Sequence, residues 1–180
     1  VPAVLADSAE ATGHAVEHLH ALGHRDIAYL AGPDGYSNTR RLAGLRDACD
    51  RLGLRPVVLG PFAARFSSGV RAADLVLAAG VTAVVAFNDD IAAGLLNRFA
   101  DRGVRVPDHV SVVGHDDTAL AEMVTPRLTT VHIPASAAGV TAAQMLITHV
   151  RGDNGTPRRS ELASELIVRG STGPAPARPV

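Results

Sequence analysis

Short apolar runs of strand length recur along this chain, each followed by a stretch with helical periodicity, and that alternation limits the available folds more than any other feature. The candidate strands are Asp26–Ala31, Pro56–Leu59, Ala83–Phe87, Val110–Val113 and Thr129–Ile133. Helix candidates lie near Ala9–Leu22, Thr39–Leu52, Ser68–Ala79 and Ile91–Arg102. Val81–Phe87 reads as a hydrophobic run rather than an alternating one, the pattern of a parallel strand covered by helices on both faces. Gly23, Gly53, Gly80 and Gly103 each sit just past a helix, where a residue of positive φ closes the last turn. The pattern predicts an α/β fold on a doubly wound parallel sheet of about five strands.

After Ile133 the pattern changes. Pro134 can open a helix at its first turn, and the Ala-rich stretch Ala135–Val150 continues it. A loop is expected over Arg151–Arg159, then a last strand over Leu162–Arg169. Gly170–Val180 is rich in Pro and Ala, and disorder is the expectation there.

The chain's 180 residues suffice for one ordinary domain, or for one lobe and part of another. With 47% hydrophobic and 19% charged residues it reads as globular and soluble, not disordered. Aromatics are only 3% and Trp is absent, so Ala, Val, Leu and Ile must fill the core. Seventeen basic residues, all Arg, face eighteen acidic ones, for a net charge of -1. That balance argues against a chain that grips nucleic acid by itself, which needs a basic surplus or stripe. Cys49, the single cysteine, falls on the apolar face formed with Leu45, Ala48 and Leu52 and reads as a packed core thiol. No apolar run approaches a membrane span, and the N-terminal stretch has no charged n-region or cleavage site, so a cytoplasmic location is expected. The start on a strand-like run suggests a chain entered in its middle.

Ligands of open α/β sheets bind beyond the carboxyl ends of the strands. Polar residues collect there. Gly32-Pro33-Asp34-Gly35 leads into Arg40 and Arg41; Asn88, Asp89 and Asp90 follow the third run; Gly114, His115, Asp116 and Asp117 follow the fourth. Carboxylates, a planar amide and a guanidinium pair well with the vicinal hydroxyls of a sugar, because each offers two acceptors or donors in one plane. Asp89 and Asp117 precede helices, and plain N-capping is the expectation for both. Asn88 and Asp116, one residue nearer the strand tips, are better placed for a ligand.

Catalytic patterns are missing. Gly35-Tyr36-Ser37-Asn38-Thr39 begins like a nucleophile elbow but lacks the final Gly and leaves its strand too late. There is no dinucleotide fingerprint and no lysine for a phosphate-binding loop. His14 and His18 have a spacing that can chelate a metal, but the H-E-x-x-H order of the common metalloproteases is not present. Surface histidines, with no metal and no cofactor, are expected.

Six stretches together resemble the lac repressor (LacI/GalR) family of transcriptional regulators. They are AVEHLHALGHRDIAYLAGP over Ala15–Pro33, RLAGL over Arg41–Leu45, AFND over Ala86–Asp89, SVVGHDD over Ser111–Asp117, PRLTTV over Pro126–Val131 and LIVRGST over Leu166–Thr172. The resemblance implies a periplasmic-binding-protein-like fold of type I, with effector held in a cleft between two lobes. It implies an effector-binding region over 1–172, with 7–132 and 161–170 as the C-terminal lobe, 133–160 as a fragment of the N-terminal lobe, and 173–180 as a disordered tail. It places Arg41, Asn88 and Asp116 on the effector, the same strand tips picked from the residues alone. Phe62 or Phe66 could supply a ring that stacks on a sugar. His115 stands where Tyr or Phe is commoner, and His132-Ile133-Pro134 where a Gln often follows.

The implied function is effector sensing, with a sugar or polyol as effector, for a repressor whose DNA-reading helix-turn-helix headpiece is not in this sequence. Operator DNA would be reached only through that headpiece. A homodimer is implied, with Leu95, Phe99, Met123 and Val124 as interface candidates. The alternative of the same fold is a periplasmic-type sugar-binding protein of an uptake system. An enzyme is the third reading, and the missing catalytic constellation argues against it.

Overall fold

The computed structural model describes residues 3–151 and 159–177. Along the chain run β1 (Ala3–Ala6), α1 (Ser8–Ala21), β2 (Ile27–Leu30), α2 (Tyr36–Arg51), β3 (Val57–Leu59), α3 (Phe66–Ala78) and β4 (Ala83–Ala86). They continue with α4 (Asp89–Asp101), β5 (Ser111–Asp116), α5 (Ala119–Met123), β6 (Thr129–His132), α6 (Ala135–Val150), β7 (Arg159–Leu162) and β8 (Glu165–Ile167). The main sheet has the order β3-β2-β4-β5-β6-β8, parallel throughout except for antiparallel β8. A second, two-stranded sheet pairs β1 with β7 in parallel, and α6 packs on β1.

Side-chain alternation along the strands builds two cores from one sheet. Ile27, Tyr29, Ala83, Val85 and Val113 turn to the face covered by α1 and α2, where they meet Val16, Leu19, Leu45 and Cys49. Ala28, Leu30, Val84, Ala86 and Val112 turn to the other face and meet Val76, Ile91, Leu95 and Phe99 of α3 and α4. With so few aromatics, close helix contact must supply packing density. A Cβ on Gly69 would fall 1.9 Å from the Ile91 carbonyl oxygen, and one on Gly94 would fall 1.9 Å from that of Phe66. These two glycines let the backbones of α3 and α4 touch.

Three expectations need correction. The fourth apolar run, expected to end at Val113, continues as strand to Asp116, so Gly114 and His115 lie inside the sheet. Leu162–Arg169 is not one strand: β7 ends at Leu162 in the small sheet, and β8 begins at Glu165 in the large one. The chain therefore passes between the two sheets at Ala6–Asp7, at Ile133–Pro134 and at Ala163–Ser164.

The third correction concerns the tail expected to be disordered. Its described part, through residue 177, is docked across the amino ends of β5 and β6. Ser171 is fully buried: its Oγ donates to the Val112 carbonyl (2.6 Å) and accepts from the Thr129 amide (2.8 Å). The Gly173 amide donates to Ser111 Oγ (3.1 Å), and the Gly173 carbonyl lies 3.0 Å from His24 Nε2. Farther on, the Ala175 amide donates to the Leu22 carbonyl. Composition hid this because backbone groups and small polar side chains make the contacts. Residues 178–180 of that tail, and the loop expected at Arg151–Arg159 over residues 152–158, lie outside the described residues.

Candidate functional site

In this strand order the chain leaves β2 for edge strand β3 and then returns past β2 to β4. The carboxyl ends of β2 and β4 therefore flank the point where the winding reverses, the place where open α/β sheets take ligands. Gly32 follows β2 and Phe87 follows β4. A Cβ on Gly32 would sit 2.3 Å from the Phe87 ring, so the absence of a side chain lets the ring lie there. The Arg41 guanidinium lies over that ring, 4.5 Å from its centroid.

Arg41 comes from α2 and is 7% exposed. Its Nη1 donates to the Phe87 carbonyl, and its Nη2 donates to Asp116 Oδ1 over 2.8 Å. His115 Nδ1 lies 3.1 Å from the same carboxylate oxygen. Burial pushes the Asp116 carboxyl up, but the His115 hydrogen bond and the Arg41 guanidinium outweigh it and hold the group below the usual carboxylate range. Burial pushes the His115 imidazole down, so it favours the neutral form. With Nδ1–H donating to Asp116, Nε2 is an acceptor, buried without a protein partner among the described residues.

Asp116 and Asp117 both have positive φ, 105° and 51°. A side chain held in such a sparsely populated region costs on the order of 1–3 kcal/mol. Two in succession mark a turn fixed by its surroundings. Asp117 accepts from Arg169 Nη2 at 2.7 Å and lies 3.0 Å from His132 Nδ1.

A family model described as the periplasmic binding protein-like domain matches residues 16–172. A solved LacI transcriptional regulator from a Rhodococcus species superposes with a TM-score of 0.88 at 32% identity, covering 97% of this chain and 71% of that one. The chain belongs to the LacI family. A second solved member, the LacI family transcriptional regulator from Enterococcus faecium with bound ribose, gives a TM-score of 0.90 at 27% identity, over 96% of this chain and 66% of that one. Among curated relatives, the HTH-type transcriptional repressor PurR of Photobacterium profundum is 36% identical over 173 residues, which is 92% of this chain and 51% of that protein. The chain thus spans about half the length of the curated relatives it matches.

Within this LacI-family domain the expected site residues fall into two groups. Arg41 and Asp116 are joined directly, and Asn88 is on the next strand tip. Asn88, however, is the N-cap of α4: its Oδ1 accepts from the Ile91 amide at 3.1 Å, which leaves its amide nitrogen to donate. Asp89, expected as the cap, is 1% exposed and instead ties the start of α4 to the cap of α5 and to β6. Its Oδ2 accepts from the Thr118 amide (2.7 Å) and hydroxyl (3.1 Å), and its Oδ1 accepts from Thr130 Oγ1 (2.5 Å). Burial pushes this carboxyl up, against the pull of those hydrogen bonds. Asp117 is likewise no cap; Thr118 holds that position before α5. The ring that meets Arg41 is Phe87. Phe62 is half-buried against the α3–α4 core, and Phe66 is an exposed first residue of α3.

Two interface candidates are core residues. Leu95 and Phe99 are fully buried on the sheet side of α4, one turn apart in the series that Ile91 begins. Val124 is half-buried against the same core, while Met123 is 77% exposed. The histidines also divide. His14 is exposed and 4.0 Å from Glu10, His18 Nε2 lies 3.0 Å from Thr172 Oγ1, and His24 is fully buried between Thr82, Ser111 and Gly173. Among the described residues no group of three or more His, Cys, Asp or Glu is placed to hold a metal, and no helix is long and apolar enough to cross a membrane.

Sequence reasoning missed Asn38, whose Oδ1 accepts both the Tyr29 hydroxyl (3.1 Å) and the Gly32 amide (3.0 Å). That pair holds the Gly32 loop under Phe87. The available signal was Tyr29 itself, since a phenol in a buried strand needs a partner.

Proposed function

We propose that this chain is the effector-sensing core of a LacI-family transcriptional repressor, with a mono- or disaccharide or related polyol as effector. The observation that carries the reading is the Arg41–Asp116 pair at the sheet's winding reversal, with a donor of Asn88 beside it. Asp116 presents a carboxylate oxygen to a hydroxyl pair, and Arg41 and His115 keep that carboxylate ionised and aimed. The bound ribose of the Enterococcus faecium relative supports a sugar. Phe62 or Phe66 supplies the stacking ring, and no catalytic step is assigned to any of these residues.

In this reading the six-stranded sheet with its helices is the C-terminal lobe, and α6 with the β1–β7 sheet is a fragment of the other lobe. Effector bound between lobes shifts a closed–open equilibrium and so changes operator affinity through a DNA-binding headpiece in the full-length regulator. The regulator acts in the cytoplasm as a homodimer, with Met123 and Val124 in the contact. The test is calorimetry of the full-length product against a panel of sugars and nucleobases. Sugar binding that Asp116→Ala weakens about tenfold or more supports the reading; binding of nucleobases and no sugar overturns it. An export signal in the upstream reading frame, in place of a helix-turn-helix, would favour an uptake binding protein.

A further inference from the structure

The two aspartates after β5 are bound to different parts of the molecule. Asp116 is held by Arg41 and His115 at the site already described. Asp117 is held by His132 and Arg169. His132 is the last residue of β6, immediately before Ile133 and Pro134, through which the chain leaves the large sheet for α6. Arg169 lies just beyond β8, the strand on which the chain has returned from the small sheet.

The registers bring these elements side by side. Asp116 stands opposite His132 in the β5–β6 ladder, and His132 stands opposite Glu165, the first residue of β8. Arg169 is tied down three further times: its Nη1 donates to the Leu128 carbonyl (2.9 Å), its amide donates to Thr129 Oγ1 (2.9 Å), and Glu122 lies 3.8 Å from Nη2. The Asp117 and Arg169 side chains are 17% and 15% exposed, so solvent screens their pair only partly. Between the two carboxylates runs a single peptide link with positive φ on both sides. A turn pinned at both side chains in a sparsely populated conformation cannot absorb a shift at one carboxylate without passing it to the other.

We propose that Asp117, with His132 and Arg169, is a positioning clasp that couples the state of the Arg41–Asp116 site to the chain crossings at 133–134 and 163–164. Its regulatory meaning rests on the effector reading above, while the clasp is a property of the unliganded chain. A ligand that draws on Asp116 alters how firmly Asp117 holds the strands on which the small sheet is carried.

Hydrogen–deuterium exchange on the ligand-free 180-residue chain tests this without any effector, so its failure is distinct from a failure of the sugar panel. Asp117→Asn and His132→Ala are expected to speed exchange about tenfold in peptides spanning 130–136 and 161–168, the loss of one charge-assisted bond, with 27–30 and 83–86 unchanged. His132→Gln keeps a donor and is expected to restore protection close to that of the parent chain. Asp116→Asn is expected to give the same local pattern, because it loosens the shared turn. Unchanged exchange at the crossings in Asp117→Asn, acceleration spread evenly over the sheet, or crossings indifferent to Asp116→Asn would each overturn the proposal.

Discussion

Arg41 and Asp116, on α2 and at the end of β5, meet in a 2.8 Å ion pair whose carboxylate oxygen is shared with His115 Nδ1 at 3.1 Å. Asp116 Oδ2 is left without a protein partner among the described residues. Because Arg41 also donates to the Phe87 carbonyl and stacks on its ring, the guanidinium is fixed from three directions.

Replacing either member should therefore cost binding more than folding. Asp116→Ala and Arg41→Ala are each expected to weaken sugar binding by at least ~1.5 kcal/mol, about tenfold in Kd, the worth of a charged hydrogen bond. The stability loss should be smaller than for a fully buried pair, since the Asp116 side chain is 35% exposed. Calorimetry on the variants reads this, and unchanged affinity in both would show that the site lies elsewhere.

Ser171→Ala removes one hydroxyl that serves two buried backbone groups, the Val112 carbonyl and the Thr129 amide. Stranding the amide should destabilise the chain by roughly 1–3 kcal/mol. Urea unfolding is the measurement, and a change near zero would mean that the tail is not part of the cooperative fold.

Gly69→Ala and Gly94→Ala each drive a methyl group into a backbone oxygen on the facing helix, 1.9 Å away in the present geometry. Neither backbone can yield without moving α3 off α4. A loss of about 1–3 kcal/mol is expected, as for other overpacked cores, against the usual gain from Gly→Ala in a helix. Thermal denaturation that shows either variant stabilised contradicts this packing.

Acidification should destabilise the chain below about pH 6.5. Burial lowers the pKa of both His24 and His115 from 6.5, so the unfolded chain takes up protons first. Their contribution is complete above 6.5 and is lost as pH falls through the depressed folded values. Asp116 adds a loss of the same sign in a lower window, below its ordinary 3.8. Asp89, raised by burial, acts in the opposite sense: it favours the fold at low pH and loses that contribution as pH rises through its folded value. Urea midpoints at about pH 7.5 and about pH 5.5 should differ, with the lower at acid pH; equal midpoints would contradict the buried neutral histidines.

Cys49 is buried, and desolvation pushes its thiol up to about 11. A thiol reagent at neutral pH is expected to label it only as the protein opens, because the thiolate is the reactive form. Rapid labelling of the native chain would place the residue at the surface.

Much of the fold was legible because its signals are local. Apolar period, strand length and the glycines that stop helices report backbone torsions and faces within a few residues of each other. The strand tips carrying Asn88 and Asp116 were legible for the same reason, since a polar residue just past an apolar run must lie at a sheet edge; Arg41 meets them from within α2.

Partnership was not legible. Asn88 and Asp89 are neighbours, and only the position of Thr118 and Thr130, brought across from the cap of α5 and from β6, decides which one caps α4 and which one binds the neighbouring elements. Leu95 and Phe99 have the periodicity of a buried face, but period cannot say whether the covering surface belongs to the same sheet or to a second molecule. The tail after Gly170 looked unstructured because its anchors are a serine hydroxyl and backbone groups, which carry no hydrophobic signal. By itself the sequence determined the recurring strand–helix alternation, the doubly wound class of the main sheet and the chemistry available at its edge. Tertiary structure decided which of those groups meet, because a hydrogen bond depends on separation to within a few tenths of an ångström between residues that chain order leaves far apart.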